Sequence, residues 1–113
     1  MLRFLERLFG RKPAKIKLPD PWPFDQAPTA PAITTNKVLE GTEEIHVVVH
    51  YADDGTWAFL CGTTDAKEDG RVVSMQDAFG FDETLGSIAD LPRGMKAWRA
   101  KRGDTWVRAG IGE

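Results

Sequence analysis

Two histidines, one cysteine and a series of carboxylates are the side chains of this sequence best suited to chemistry. His46 and His50 stand four residues apart in Ile45-His46-Val47-Val48-Val49-His50-Tyr51, a β-branched run that reads as a strand. On an extended strand both point to one face but lie ~13 Å apart, too far to share a metal ion. Cys61 is the sole cysteine. It can form no internal disulfide, no Cys–His spacing marks a catalytic dyad, and it reads as a buried strand thiol. Asp53, Asp54, Asp65, Glu68 and Asp69 fall in expected turns, where solvated turn chemistry explains them. Their spacing lacks the alternating ligands and terminal glutamate of a calcium loop. A Gly-rich phosphate loop and a serine nucleophile elbow are both missing. The residues point to a non-enzymatic protein that uses neither metal nor cofactor.

The elements that must position these residues occupy only part of the 113-residue chain. Its net charge of −2 and its ordinary share of apolar and charged residues suit one small globular domain. The near-neutral total is a cancellation. Residues 1–17 carry a net +5, residues 18–90 a net −11 and residues 91–113 a net +4. Six of the seven prolines lie from Pro13 to Pro31. Each removes an N–H and biases its predecessor to extended geometry, so residues 13–32 read as a partly polyproline-II linker, whose Trp22 and Phe24 either dock on the domain or stay exposed. Ahead of it, Leu2, Leu5, Leu8 and Phe9 recur at helical spacing among Arg3, Glu6 and Arg7, and Arg11 and Lys12 suit the helix end. Residues 1–12 thus read as a basic amphipathic helix, too short to be stable alone in water. Its charges interrupt the apolar core that a secretory signal needs, and no apolar run reaches the ~18 residues of a membrane span.

The globular domain is expected over residues 33–110. Asp53-Asp54-Gly55 joins the Ile45–Tyr51 strand to Trp57-Ala58-Phe59-Leu60-Cys61 as a hairpin. Thr34 to Leu39 reads as a further strand, and Arg71-Val72-Val73 as another. Ser74 can cap a helix over Met75–Phe79, and Asp82 one over Glu83–Ala89. Met95–Ala100 and Thr105–Arg108 flank a Gly-containing turn as a second hairpin, with Ala97 and Arg99 on the face opposite Trp98. The expectation is an α+β fold: a mainly antiparallel sheet built from two hairpins, with two short helices on one face. Trp57, Phe59, Phe79, Trp98 and Trp106 are the large core candidates.

Near the C-terminus Arg93, Lys96, Arg99, Lys101, Arg102 and Arg108 are interleaved with Trp98 and Trp106. Such a strip can track a phosphate backbone with aromatic stacking. The acidic remainder of the domain argues against a nucleic-acid partner, and a soluble hairpin face with inward tryptophans explains the pattern.

Thr34-Thr35-Asn36-Lys37-Val38-Leu39-Glu40-Gly41, Asp53-Asp54-Gly55-Thr56-Trp57-Ala58-Phe59-Leu60, Arg71-Val72-Val73-Ser74 and Leu91-Pro92-Arg93-Gly94-Met95-Lys96-Ala97-Trp98-Arg99, followed by Trp106, form a set. As a set they resemble small bacterial proteins grouped with immunity-protein-like domains of polymorphic toxin systems. The resemblance covers about residues 34–108 and carries no catalytic motif. It implies a cytoplasmic protein-binding module. The acidic middle can then hold a basic protein partner through Asp53, Asp54, Asp65, Glu68 and Asp69. The alternative is a peripheral tether at the inner face of the membrane. There Leu2, Arg3, Leu5, Arg7, Leu8, Phe9, Arg11 and Lys12 make a weak contact with anionic lipid.

Overall fold

The computed structural model of the protein describes residues 18–64 and 66–112. The expected helix over 1–12 lies outside them, as does Asp65. Within them the chain is an α+β fold around one six-stranded sheet. The strands are β1 (Pro31–Thr35), β2 (Val47–His50), β3 (Trp57–Leu60), β4 (Gly70–Ser74), β5 (Met95–Trp98) and β6 (Val107–Gly110). The order across the sheet is β4-β1-β3-β2-β5-β6. Neighbours are antiparallel except β1 and β3, which run parallel at Ile33↔Ala58, so the sheet is mixed.

The chain turns from β2 into β3 through Asp53-Asp54-Gly55. Asp53 and Asp54 each accept a backbone N–H with the side chain, and Gly55 takes a positive φ of 74° that other residues resist. The segment Thr34–Leu39, expected as one strand, divides at Thr35. Its hydroxyl accepts from Val38 N–H at 3.3 Å and so starts the helical turn α1 (Asn36–Leu39). The strand begins earlier, at Pro31, a position where a missing N–H costs least. Ser74 caps α2 (Met75–Phe81) by accepting from Asp77 N–H. Asp82 caps the next turn the same way through Thr84 N–H, but Glu83–Ile88 winds as a 3₁₀ helix rather than an α-helix.

One core joins the sheet to the helical segments. Val48, Trp57, Phe59 and Ala97 from the strands meet Met75, Ala78, Phe79, Leu85 and Ile88. Phe24 belongs to it, with its ring 5.1 Å from Trp57 and 6.1 Å from Phe59, both edge-on. Trp22 packs beside Phe24 and Phe79 and donates Nε1–H to Gln26 O. Residues 13–32 were expected as a linker, yet from Leu18 onward they form a strap across the core. The reason is composition: two large aromatics between prolines bury more apolar area than their ordering costs.

Trp98 departs from the core list. The register Val48↔Ala97 puts Ala97 against the core, so the next residue, Trp98, points outward and is 41% exposed. Arg99 turns inward in its place.

Phe24→Ala should cost about 3–5 kcal/mol of stability in urea unfolding. A residue in a solvated linker would change it by about 0.5 kcal/mol or less.

Candidate functional site

The described residues of the expected acidic patch fall in two groups. Asp53 and Asp54 sit at the turn where β3 begins. Glu68 and Asp69 precede β4, whose first residue pairs with the last residue of β1, at the opposite end of the parallel β1–β3 pair. The two groups are separated by at least the ~10 Å length of β3. Asp69 is also engaged, accepting from Asn36 Nδ2 at 3.4 Å and Thr64 Oγ1 at 2.6 Å.

His50 is buried and stacked on Trp57, with ring centroids 3.9 Å apart. Its Nδ1 lies 2.7 Å from Leu91 O. A carbonyl only accepts, so Nδ1 carries the proton. Nε2 faces Asp25 Oδ2 at 3.3 Å without hydrogen-bond alignment. Asp25 also accepts Trp57 Nε1–H at 2.9 Å and lies 3.9 Å from Arg93 Nε. This group ties the strap to the sheet and has no nucleophile in it. His46 turns to Glu44, 3.6 Å away. Cys61 sits four residues beyond the Trp57 that pairs with His50, ~13 Å along β3. Burial pushes its thiol up, but hydrogen bonds from Thr35, Thr63 and the backbone N–H groups of Thr63 and Thr64 outweigh burial and hold it below 9.0. Its sulfur contacts are threonine hydroxyls rather than a histidine. Among the described residues, no three His, Cys, Asp or Glu side chains converge as a metal site. No described helix is long and apolar enough to cross a membrane.

The C-terminal basic strip is largely engaged. Arg93, Arg99, Arg102 and Arg108 each stand within 4 Å of a carboxylate, on Asp25, Asp82, Asp82 and Asp90. Arg99 is the extreme case. Its guanidinium is wholly buried and meets Asp82 Oδ2 at 2.6 Å. It also donates to Ile45 O and Thr84 Oγ1, and its face lies 4.1 Å over the Trp106 ring.

Asp82 forms part of a cleft of about 370 Å³. Val38, Leu39, Ile45 and Phe81 give it an apolar lining, and Glu40, Glu43, Glu44 and Arg102 its charged one. Local chemistry shapes the mouth. After α1, Gly41 takes a positive φ of 80°, which lets Gly41 N–H reach Val38 O and Thr42 N–H reach Lys37 O. That turn swings residues 40–45 back along the end of α1. Arg102 N–H then binds Glu44 Oε1 at 2.9 Å, and this bond, ahead of the nearby His46, holds the Glu44 carboxyl below its usual 4.5. Glu40 and Glu43 have no ion-pair partner among the described residues. Two carboxylates without an ion-pair partner among the described residues therefore stand at a cleft of mixed apolar and charged lining, with the exposed ring of Phe81 at its wall. Sequence reasoning passed over these glutamates because Phe81, Asp82 and Arg102, the rest of the cleft, are some 40 to 60 positions away. The signal available was the cluster Glu40-Gly-Thr-Glu43-Glu44 itself.

The chain matches no family model, no curated protein and no solved structure.

Asp82→Ala leaves Arg99 as a buried charge with no counterion. Chemical denaturation should show a loss of about 3–5 kcal/mol, and Asp82→Leu combined with Arg99→Met should recover most of it.

Proposed function

We propose that this chain is a non-enzymatic binding module, immunity-like in kind and cytoplasmic, that holds a basic segment of a partner protein at the Glu40–Ile45/Phe81 cleft. The carboxylates of Glu40 and Glu43, which have no ion-pair partner among the described residues, stand beside the apolar side chains of the cleft and carry the reading. An amphipathic segment answers both features: a cation meets the glutamates while an apolar side chain enters between Val38 and Phe81. Two hairpins form the frame, and the helical segments on one face supply the cleft walls. The acidic middle of the chain favours encounter with a cationic partner over a nucleic acid. This assignment moves the contact from Asp53, Asp54, Asp65, Glu68 and Asp69, which retain only a steering role.

A second reading rests on the sequence of residues 1–12. Their apolar and basic residues alternate as in an interfacial helix, and they would give the same domain a weak hold on anionic lipid.

A labelled peptide of alternating Lys and Leu, titrated into the full chain, separates the readings. Glu40→Lys with Glu43→Lys should weaken peptide binding at least tenfold, and Asp53→Lys with Asp54→Lys should change it less than threefold, because only local glutamates would be desolvated. Absent binding, or equal losses in the two variants, contradicts the cleft assignment. Binding of the full chain to anionic vesicles without any peptide binding supports the tether instead.

A further inference from the structure

Alternation along the strands sends one set of side chains into the core and the other to the opposite face of the sheet. That opposite face is apolar where a solvated sheet face is ordinarily polar. Trp98 and Val107 stand as a direct cross-strand pair toward one margin, and Val72 stands opposite Ile33 toward the other. Tyr51 and Ile111 continue the same parity just past β2 and β6, where Tyr51 N–H bonds Thr56 O and Ile111 N–H bonds Gly94 O. Of six exposed large apolar side chains among the described residues, five lie on this face; the sixth is Phe81 in the cleft. Val72 is 75% exposed and Val107 51%. Within the strands, Lys96 is the one charged residue at an outward position.

We propose that this sheet face is the interface of a homodimer, two copies packing back to back about a two-fold axis. Three observations select a second copy over another partner. First, a two-fold interface sets the same patch against itself, so it must not be strongly charged. Within the strands this face carries one charged residue, Lys96, whereas the cleft and the sheet ends are densely charged. Second, the outward positions of the strands include the β-branched Ile33, Val47, Val49, Val72 and Val107, side chains of the kind through which aligned sheets pack at ~10 Å separation. Third, five large apolar side chains, 37% to 75% exposed, stand on this one face, and apolar surface gathered in this way marks an association surface rather than a solvated one. The chain's net charge of −2 sets little repulsion against self-association. This surface lies apart from the cleft, so the dimer and the partner-binding reading stand or fall separately.

Sedimentation equilibrium of the full chain, from low to high micromolar concentration, tests it. The mass should rise from 12.6 kDa toward twice that value. Trp98→Lys and Val72→Lys, at opposite margins of the face, should each weaken dimerisation at least tenfold. Phe81→Lys should leave it unchanged. Circular dichroism of each variant checks that it has folded; Val72 stands on an edge strand with its side chain in solvent, so its replacement keeps the test open if Trp98→Lys misfolds. A chain that is monomeric throughout overturns the proposal, including the case in which residues 1–17 cover the face within one copy. A dimer indifferent to both face variants overturns it equally.

Discussion

A wholly buried guanidinium governs this domain. Arg99 has no solvent to share its charge, so every donor it carries must find an acceptor in the protein. The acceptors come from two places far apart in sequence: Asp82 and Thr84 at the junction of α2 and the 3₁₀ helix, and Ile45 just before β2. Meeting them fixes where the helical layer sits relative to the sheet. It also decides parity along β5. With Arg99 inward, Ala97 is inward and Trp98 is outward. The same ion pair therefore closes the core and opens the apolar back of the sheet.

The cleft inherits its geometry from this pair. Asp82 is shared between Arg99 at 2.6 Å and Arg102 at 3.3 Å. Arg102 in turn presents its backbone N–H to Glu44. One buried carboxylate thus holds both walls, the α2 end and the loop after β5, against the glutamate-bearing turn. Among the described residues, Arg99 and Arg102 pair with Asp82, and neither Glu40 nor Glu43 has an ion-pair partner. The strap acts at the other end of the sheet by the same logic. Trp57 Nε1–H needs an acceptor when buried, and Asp25 supplies it, drawing residues 18–30 over the core.

Much of the fold was legible in the sequence, and the exceptions are instructive. Asp53-Asp54-Gly55 and the caps Ser74 and Asp82 are local devices, readable because each acts within a few residues. The α+β class followed from them. The break at Thr35 was not readable, since a threonine serves a strand and an N-cap equally well. Phe24 was ambiguous because proline sets only backbone geometry and leaves open whether the rings find a surface. Trp98 was assigned to the core on size, while its neighbour's hidden ion pair decided the matter. Of the candidate site, the acidity of the middle segment was plain. Its distribution was not, because sheet order β4-β1-β3-β2-β5-β6 carries Asp53 and Glu68 to opposite ends and brings Phe81 and Arg102 beside Glu44.

The central claim is that the Asp82–Arg99 pair builds a cleft which recognises cationic, apolar segments. Backbone amide NMR of the labelled full chain, titrated with a basic amphipathic peptide, tests it most directly. The account predicts shifts concentrated at Val38–Ile45, Phe81–Asp82 and Arg102, with the 53–56 turn unmoved. Shifts centred on Asp53, Asp54, Glu68 and Asp69 with a silent cleft would contradict it.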